Sequence, residues 1–191
     1  ARGETVIGTM RRGDTPLDVT DPASVARFAA SLDGAPVALL VCNAGVYLDR
    51  GQQLDGGYPA AQWAQTFAAN VTGVFLTIQA LLPNLRAAQD AKIAIISSQM
   101  ASSERAPGGS YIYRASKAAA LNLGRNLAAD LRRDRIAVGI YHPGWVQTDM
   151  GGGAADITVK QSVTGLVARF DALSLASTGV FETWDGRVHP Y

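Results

Sequence analysis

The sequence predicts an α/β fold, a doubly wound parallel sheet with helices on both faces. Two observations indicate this class. Short apolar runs that fit strands alternate along the chain with longer segments of helical periodicity. The strand-like runs are also apolar throughout rather than alternately polar, which is typical of strands buried on both faces. With 191 residues, the chain is expected to form a single domain over residues 1–191.

The N-terminal part opens with a strand-like run over residues 5–9. Asp21 then provides an N-cap acceptor and Pro22 suits the first helical position, so a helix is expected to begin there and to end at Gly34. The run over residues 37–42 predicts a strand buried on both faces.

A long helical segment follows Pro59, since apolar residues recur there at helical spacing up to Leu85. Pro83 is expected to kink or end its last turn. The remaining expected elements are strands at 92–98, 136–141 and 180–183 and helices at 113–133 and 159–170, with a flexible glycine link at 151–153.

Composition excludes several classes of function. The net charge of +1 gives no reason to expect nucleic acid or an acidic membrane as partner. No run is expected to reach the length of a membrane span, and no signal peptide is recognised. The single Cys42 excludes an internal disulfide, and neither His142 nor His189 has a partner at metal-ligand spacing, so no metal is expected. The cytoplasm is the expected compartment.

The chemistry is expected around residues 97–117. Ser97 and Ser98 close an apolar strand, and ligands of open α/β sheets gather at the carboxyl ends of strands. Tyr113 and Lys117 are four residues apart and therefore lie on one face of a helix. A lysine ammonium beside a phenol is expected to lower the phenol pKa towards the range useful in acid–base chemistry.

In this order, the motifs resemble those of the short-chain dehydrogenase/reductase family, which has a Rossmann-type sheet. The matching positions are Asn43, Ala44 and Gly45 after a strand, Asn70 in the next helix, Ser98 before Tyr113 and Lys117, and Pro143 and Gly144 after a later strand. The segments GGSYIYRASKAAALN, HPGWVQTDMGG and WDGRVHPY are similar to the branch of C-factor-like proteins and small carbonyl reductases.

The resemblance implies hydride transfer between a nicotinamide and a carbonyl or alcohol carbon. Tyr113 would give or take the proton, and Ser98 would polarise the carbonyl oxygen. Lys117 would lower the Tyr113 pKa and hold the ribose hydroxyls of the nicotinamide. Asn70 would position a water that links Lys117 to solvent.

The resemblance also implies where the dinucleotide binds. Arg11 stands where an arginine accommodates the 2′-phosphate, so NADP(H) is preferred and NAD(H) is possible. Asp18 and Val19 resemble the adenine contact, although Asp18 equally fits a plain turn. The turns at residues 43–45 and 143–144 would contact the cofactor. Val146, through its backbone, and Thr148 would hold the nicotinamide carboxamide.

The family opens with a strand and a glycine-rich turn, and neither stands in this sequence, so a first βα unit of roughly 25 to 30 residues is missing from the pattern. The sequence is therefore either part of a longer chain or that of a protein without this diphosphate cradle. An NADP(H)-dependent carbonyl reductase acting on small carbonyl or alcohol substrates is the leading hypothesis. A C-factor-like signalling or nucleotide-sensing protein is the alternative. A homodimer or homotetramer is expected.

Overall fold

The computed structural model describes residues 3–191 and contains a four-stranded parallel sheet with strand order β1-β2-β3-β4. The strands are β1 (Leu39–Cys42), β2 (Lys92–Ile96), β3 (Ala137–His142) and β4 (Phe181–Thr183). The helices are α1 (Pro22–Ser31), α2 (Ala60–Phe67), α3 (Gly73–Ala87), α4 (Tyr111–Asp130) and α5 (Val159–Ala172). A π-helical turn, Ala68–Thr72, joins α2 to α3, and 3₁₀ turns cover Gln99–Ala101 and Leu131–Asp134.

The core confirms that helices cover the sheet on both faces. Ile93 and Ile95 of β2 are fully buried in a cluster with Ile78 and Leu85 of α3. The alternate residue of the same strand, Ala94, packs instead in a cluster with residues of α5. Because successive side chains of a strand point to opposite faces, α3 and α5 lie on opposite sides of the sheet.

Local sequence signals correctly predict where two helices begin. The Asp21 carboxylate accepts a hydrogen bond from the Ala23 amide at 2.9 Å, and Pro22 is the first residue of α1, as predicted. α5 begins at Val159, also as predicted, behind a capping box between Thr158 and Gln161. Such caps satisfy amides that lack a partner within the helix.

Two strand predictions are wrong. Residues 5–9 form no strand, and Val6 and Ile7 are 82% and 53% exposed. A strand needs a neighbouring ladder, and no described residue pairs with this run. β1 is an edge strand rather than one buried on both faces. Its alternate residues Leu39 and Val41 are 41% and 39% exposed, because no element within residues 3–191 covers that face of β1.

The long helical run also differs from expectation. α3 continues through Pro83 to Ala87, so the proline does not end it. Together, α2, the π turn and α3 span 28 residues, which are long and apolar enough to cross a membrane by length and composition alone. The expectation that no run reaches that length was therefore wrong. Ile78, Leu81 and Leu85 are buried against the sheet, as in the core helix of a globular domain.

Candidate active site

The motif residues gather at the carboxyl end of the sheet. The Asn43–Gly45 turn follows β1, Ser97 and Ser98 follow β2, and Pro143 and Gly144 follow β3. The three strands are parallel neighbours, so these turns lie side by side. α4 begins at Tyr111, two residues earlier than predicted, and carries Tyr113 and Lys117 towards the same edge.

Ser98, Tyr113 and Lys117 form one cluster. The Ser98 side chain lies close enough to the Tyr113 hydroxyl to lower the pKa of that phenol. The Lys117 ammonium lies 5.7 Å from the centroid of the Tyr113 ring. All three residues are buried. The arrangement brings a hydroxyl, an ionisable phenol and an ammonium close together at the carboxyl end of the sheet.

Burial changes the expected acid–base properties. It raises the pKa of Tyr113 to about 12, although Ser98 and the charge of Arg50 act in the opposite direction. Burial likewise lowers the pKa of Lys117 to about 8. The predicted lowering of the Tyr113 pKa is therefore wrong for this structure, because removing both groups from water disfavours both charged forms.

The Lys117 ammonium retains capacity to bind a ligand. It donates one hydrogen bond to the Ile96 carbonyl oxygen at 2.9 Å, and an ammonium has three N–H groups. Gly45 faces it. A Cβ at Gly45 would lie 3.3 Å from the Lys117 Nζ and 3.2 Å from the Asn70 Oδ1. Glycine therefore lets this loop approach the ammonium closely and leaves room for hydroxyl groups beside it.

Asn70 lies in the π turn, a local feature that often marks functional sites. Its Oδ1 accepts from the Val46 amide at 2.8 Å. Its Nδ2 donates to the Val46 carbonyl at 2.9 Å and to the Ser116 Oγ at 3.0 Å. Asn70 thus fastens the loop after β1 to α4. Both Nδ2 hydrogens of Asn70 are donated to these two oxygens. The role of Asn70 in positioning a water stays a prediction.

The two serines after β2 have different surroundings. The Ser97 Oγ donates to the Lys117 carbonyl at 3.0 Å and so holds the backbone of α4. Ser98 reaches the Tyr113 hydroxyl and also accepts from the Met100 amide at 3.1 Å, which caps the short turn that follows. Of the two, Ser98 has the geometry to contact a substrate oxygen beside Tyr113.

The predicted adenine-side residues lie in a turn of their own. The Asp18 carboxylate accepts from the Thr20 amide at 2.9 Å and from its hydroxyl at 2.6 Å. These bonds, with a smaller effect of Arg11, lower the pKa of Asp18. Val19 packs on Gly73, where a Cβ would lie 2.7 Å from the Val19 carbonyl oxygen. The turn is therefore fixed against α3, and the Asp18 carboxylate is bonded within it, while its contact with adenine stays a prediction.

The segment after β3 folds back on itself instead of forming a plain flexible link. Gly144 has φ +89°, and a Cβ there would lie 2.4 Å from the Ile157 Cδ1. Val146 forms a β-bridge with Ile157. The Thr148 hydroxyl accepts from the Gly151 amide at 3.0 Å, while Ser162 donates to the Pro143 carbonyl at 2.6 Å. These contacts fix the segment that follows the carboxyl end of β3, and the binding of a carboxamide by Val146 and Thr148 stays a prediction.

Two further residues of this site, Tyr47 and Asp49, lie outside the motifs that the sequence analysis used. The Tyr47 ring stacks on the Tyr113 ring with centroids 4.2 Å apart. Asp49 is fully buried and accepts hydrogen bonds from the amides at the start of α4. Nothing in the polar loop after Gly45 distinguishes Asp49 from Asp55, so no local pattern identifies it.

The two histidines lie close to each other. Their rings are 6.1 Å apart, and both residues are buried. Burial lowers the pKa of His142 to about 4. Within residues 3–191, no group of three or more His, Cys, Asp or Glu side chains is arranged to hold a metal ion.

Comparison with known proteins gives a consistent family. The profile of a family described as short chain dehydrogenase matches residues 14–157. The chain is 36% identical to the protein named C-signal of Myxococcus xanthus over 165 residues, which cover 86% of this chain and 98% of that one. It is 35% identical over 178 residues to 1-hydroxy-2-glutathionyl-2-methyl-3-butene dehydrogenase of Rhodococcus sp., covering 89% and 76% of the two chains.

Solved structures resemble the whole fold. An NADPH-bound carbonyl reductase from chicken fatty liver superposes with a TM-score of 0.86 at 35% identity, covering 93% of this chain and 76% of that one. The carbonyl reductase Sniffer of D. melanogaster superposes with a TM-score of 0.87 at 26% identity, covering 92% and 77%.

Proposed function

The chain belongs to the short-chain dehydrogenase family and is an oxidoreductase, and on that premise we propose that it is an NADP(H)-dependent carbonyl reductase. It would interconvert a small carbonyl compound and its alcohol. The observation that carries the proposal is the buried cluster of Ser98, Tyr113 and Lys117, in which a hydroxyl and an ammonium flank one phenol.

The residues at the site fit the nicotinamide half of the cofactor. Gly45 has no side chain where a Cβ would lie within 3.3 Å of the Lys117 Nζ, and that ammonium has N–H groups beyond the one bonded to Ile96. These groups suit the ribose hydroxyls. Residues 3–191 contain no glycine-rich turn before β1 to bind the diphosphate.

When bound, the nicotinamide supplies or accepts the hydride. Tyr113 acts as general acid in reduction, because a pKa raised to about 12 keeps the phenol protonated near neutral pH. Ser98 hydrogen-bonds the substrate oxygen and stabilises the charge that develops there. Lys117 stabilises the phenolate left after proton transfer, since its ammonium lies near the same ring. In oxidation the proton moves in the opposite direction.

The preference for NADP(H) is supported by Arg11 and Arg12, which lie exposed in the turn before Asp18 and could face a 2′-phosphate. A structural relative bound to NADPH is in keeping with it. The chain carries no carboxylate from residue 5 to residue 13 that would favour the free 2′-hydroxyl of NAD(H). Replacing Arg11 by Glu should therefore raise the KM for NADPH relative to that for NADH.

The decisive test is NADPH oxidation by the purified protein with a panel of small ketones and aldehydes. Tyr113→Phe should lower kcat by about 10²- to 10⁴-fold, the usual contribution of a general acid. Tyr141→Phe is the matched control, since Tyr141 is also buried but its hydroxyl has no hydrogen-bond partner within residues 3–191. Undiminished turnover by Tyr113→Phe would contradict the proposed chemistry.

A second candidate function is signalling or nucleotide sensing with little catalysis. What favours it is the 36% identity to a protein named C-signal over 98% of that chain. NADPH binding without turnover of any carbonyl compound, measured by calorimetry beside the kinetic assay, would favour this alternative.

Self-association into a homodimer or homotetramer and a cytoplasmic location also belong to the proposal. Light scattering and fractionation test them.

A further inference from the structure

Asp49 is a fully buried carboxylate outside the motif residues of the site. Its Oδ2 accepts from the Ile112 amide at 2.9 Å. The Tyr113 amide donates to both carboxylate oxygens, at 3.2 Å to Oδ1 and 3.3 Å to Oδ2. The loop after β1 thus reaches across 63 residues of sequence to the backbone of the tyrosine itself.

These bonds replace a cap that α4 does not provide for itself. The first amides of a helix have no partner within it, and the preceding residue commonly caps them. Here Ser110 has left-handed backbone angles and makes no such bond with its side chain. Its hydroxyl pairs instead with the Tyr47 hydroxyl at 2.5 Å. A buried carboxylate is favoured at this position because the helix N-terminus carries partial positive charge.

We propose that Asp49 is a positioning residue for Tyr113: its carboxylate fixes the first turn of α4, so that the phenol stands between Ser98 and Lys117. The same loop also fixes the ring, since Tyr47 stacks on Tyr113 with an interplanar angle of 21°. Backbone and side chain of the tyrosine are thus both held from one loop. The proposal rests on the proposed function in so far as Tyr113 is the proton donor.

The charge of Asp49 gives a second readout beside the hydrogen bonds to the helix amides. Asp49 and Tyr47 raise the pKa of Tyr113, and Arg50 lowers it. The Lys117 ammonium faces the same ring. Removing the carboxylate charge should therefore lower the pKa of the phenol, so the limb of the pH profile that reports Tyr113 should move to lower pH.

The experiment compares Asp49→Ala and Asp49→Asn with wild type in the full chain. Asp49→Ala should lower kcat by about 10- to 100-fold, as expected when a reacting group is displaced by about 1 Å, with a smaller change in the KM for NADPH. Asp49→Asn keeps one acceptor oxygen and should recover part of kcat, yet the tyrosine limb should still move to lower pH.

A matched control is Asp21→Ala, which removes a comparable carboxylate cap from α1. It should reduce stability and leave the pH profile of kcat unchanged.

A second readout of the Asp49 variants does not need turnover. Tyrosine labelled with ¹³C, with the Tyr113 signal assigned by its loss in Tyr113→Phe, reports the phenol titration directly. Hydrogen exchange reports the Ile112 and Tyr113 amides.

The outcomes separate the two proposals. Without turnover in wild type the reductase assignment fails, while a lowered Tyr113 titration and faster amide exchange in the Asp49 variants still support the positioning role. If Asp49→Ala kept the wild-type kcat, the wild-type Tyr113 titration and the wild-type amide exchange, the positioning role of Asp49 would be overturned. If Asp49→Ala does not fold, Asp49→Asn decides, because unchanged exchange of the Ile112 and Tyr113 amides together with wild-type kcat in that variant contradicts the proposal.

Discussion

The Lys117 ammonium should make the protein less stable near neutral pH than at alkaline pH. Burial lowers its pKa from 10.5 to about 8. Between these values an unfolded lysine is still protonated while the folded one has lost its proton, so the unfolded state binds more protons and stability rises with pH. The stability gained by having Lys117 neutral in the folded protein is fully present above pH 10.5 and is lost as pH falls through about 8. The full loss is about 3 kcal/mol.

Lys117→Met removes this dependence. From about pH 7.5 to about pH 9.5, the difference in unfolding free energy between wild type and variant should shift by about 2 kcal/mol in favour of wild type. The difference cancels groups common to both proteins. One of these is Cys42, whose pKa is raised by burial to about 12 and which lowers stability as pH rises above 9. Near neutral pH the variant should be inactive but as stable as wild type, or more so.

Urea denaturation at several pH values, followed by circular dichroism, measures these differences. Lys160→Met is the matched control, since Lys160 lies on the exposed side of α5, and its difference from wild type should not vary with pH. A pH-independent difference for Lys117→Met would refute the reasoning, because the buried ammonium would then not be costly to keep charged.

Two further perturbations test the packing and the acid response. Gly73→Ala brings a Cβ to 2.7 Å from the Val19 carbonyl oxygen, so it should cost about 1 to 3 kcal/mol and raise the KM for NADPH. Gly8→Ala meets nothing within 4 Å and should change neither the urea midpoint nor that KM. His142, with a pKa lowered by burial from 6.5 to about 4, contributes stability that is present above pH 6.5 and lost as pH falls through about 4. Thermal melts between these values should show a smaller acid loss in His142→Gln, and an equal loss would contradict this role.

Local sequence signals predicted most of the fold. The predictions that failed concern features that depend on contacts with distant parts of the chain. The cap and proline at Asp21 and Pro22 act within one turn, so the start of α1 could be read directly. Residues 5–9 have strand-like composition, but a strand also depends on a neighbour that sequence pattern does not supply. The exposure of Leu39 and Val41 has the same origin, since burial on both faces requires an element on each side of β1.

In the site, too, the features set by local spacing could be predicted, and those set by burial or distant contacts could not. Ser98, Tyr113 and Lys117 could be placed together because strand ends and a four-residue helical spacing fix their positions. The direction of the Tyr113 pKa shift could not be predicted, because it is set mainly by a desolvation penalty that depends on how completely the phenol is buried. Asp49 was missed since its role consists of contacts with amides 63 residues away in sequence.

Side chains from three other segments hold the first two turns of α4. Asp49 bonds the Tyr113 amide, Asn70 bonds the Ser116 hydroxyl, and Ser97 bonds the Lys117 carbonyl. Each of these contacts fixes the height and rotation of the helix without touching the Tyr113 hydroxyl. Because a small displacement of a reacting group is costly in rate, these three attachments should govern turnover even where Ser98, Tyr113 and Lys117 are intact. The geometry of the proposed reaction is therefore set as much by how α4 is anchored as by the side chains that carry out the chemistry.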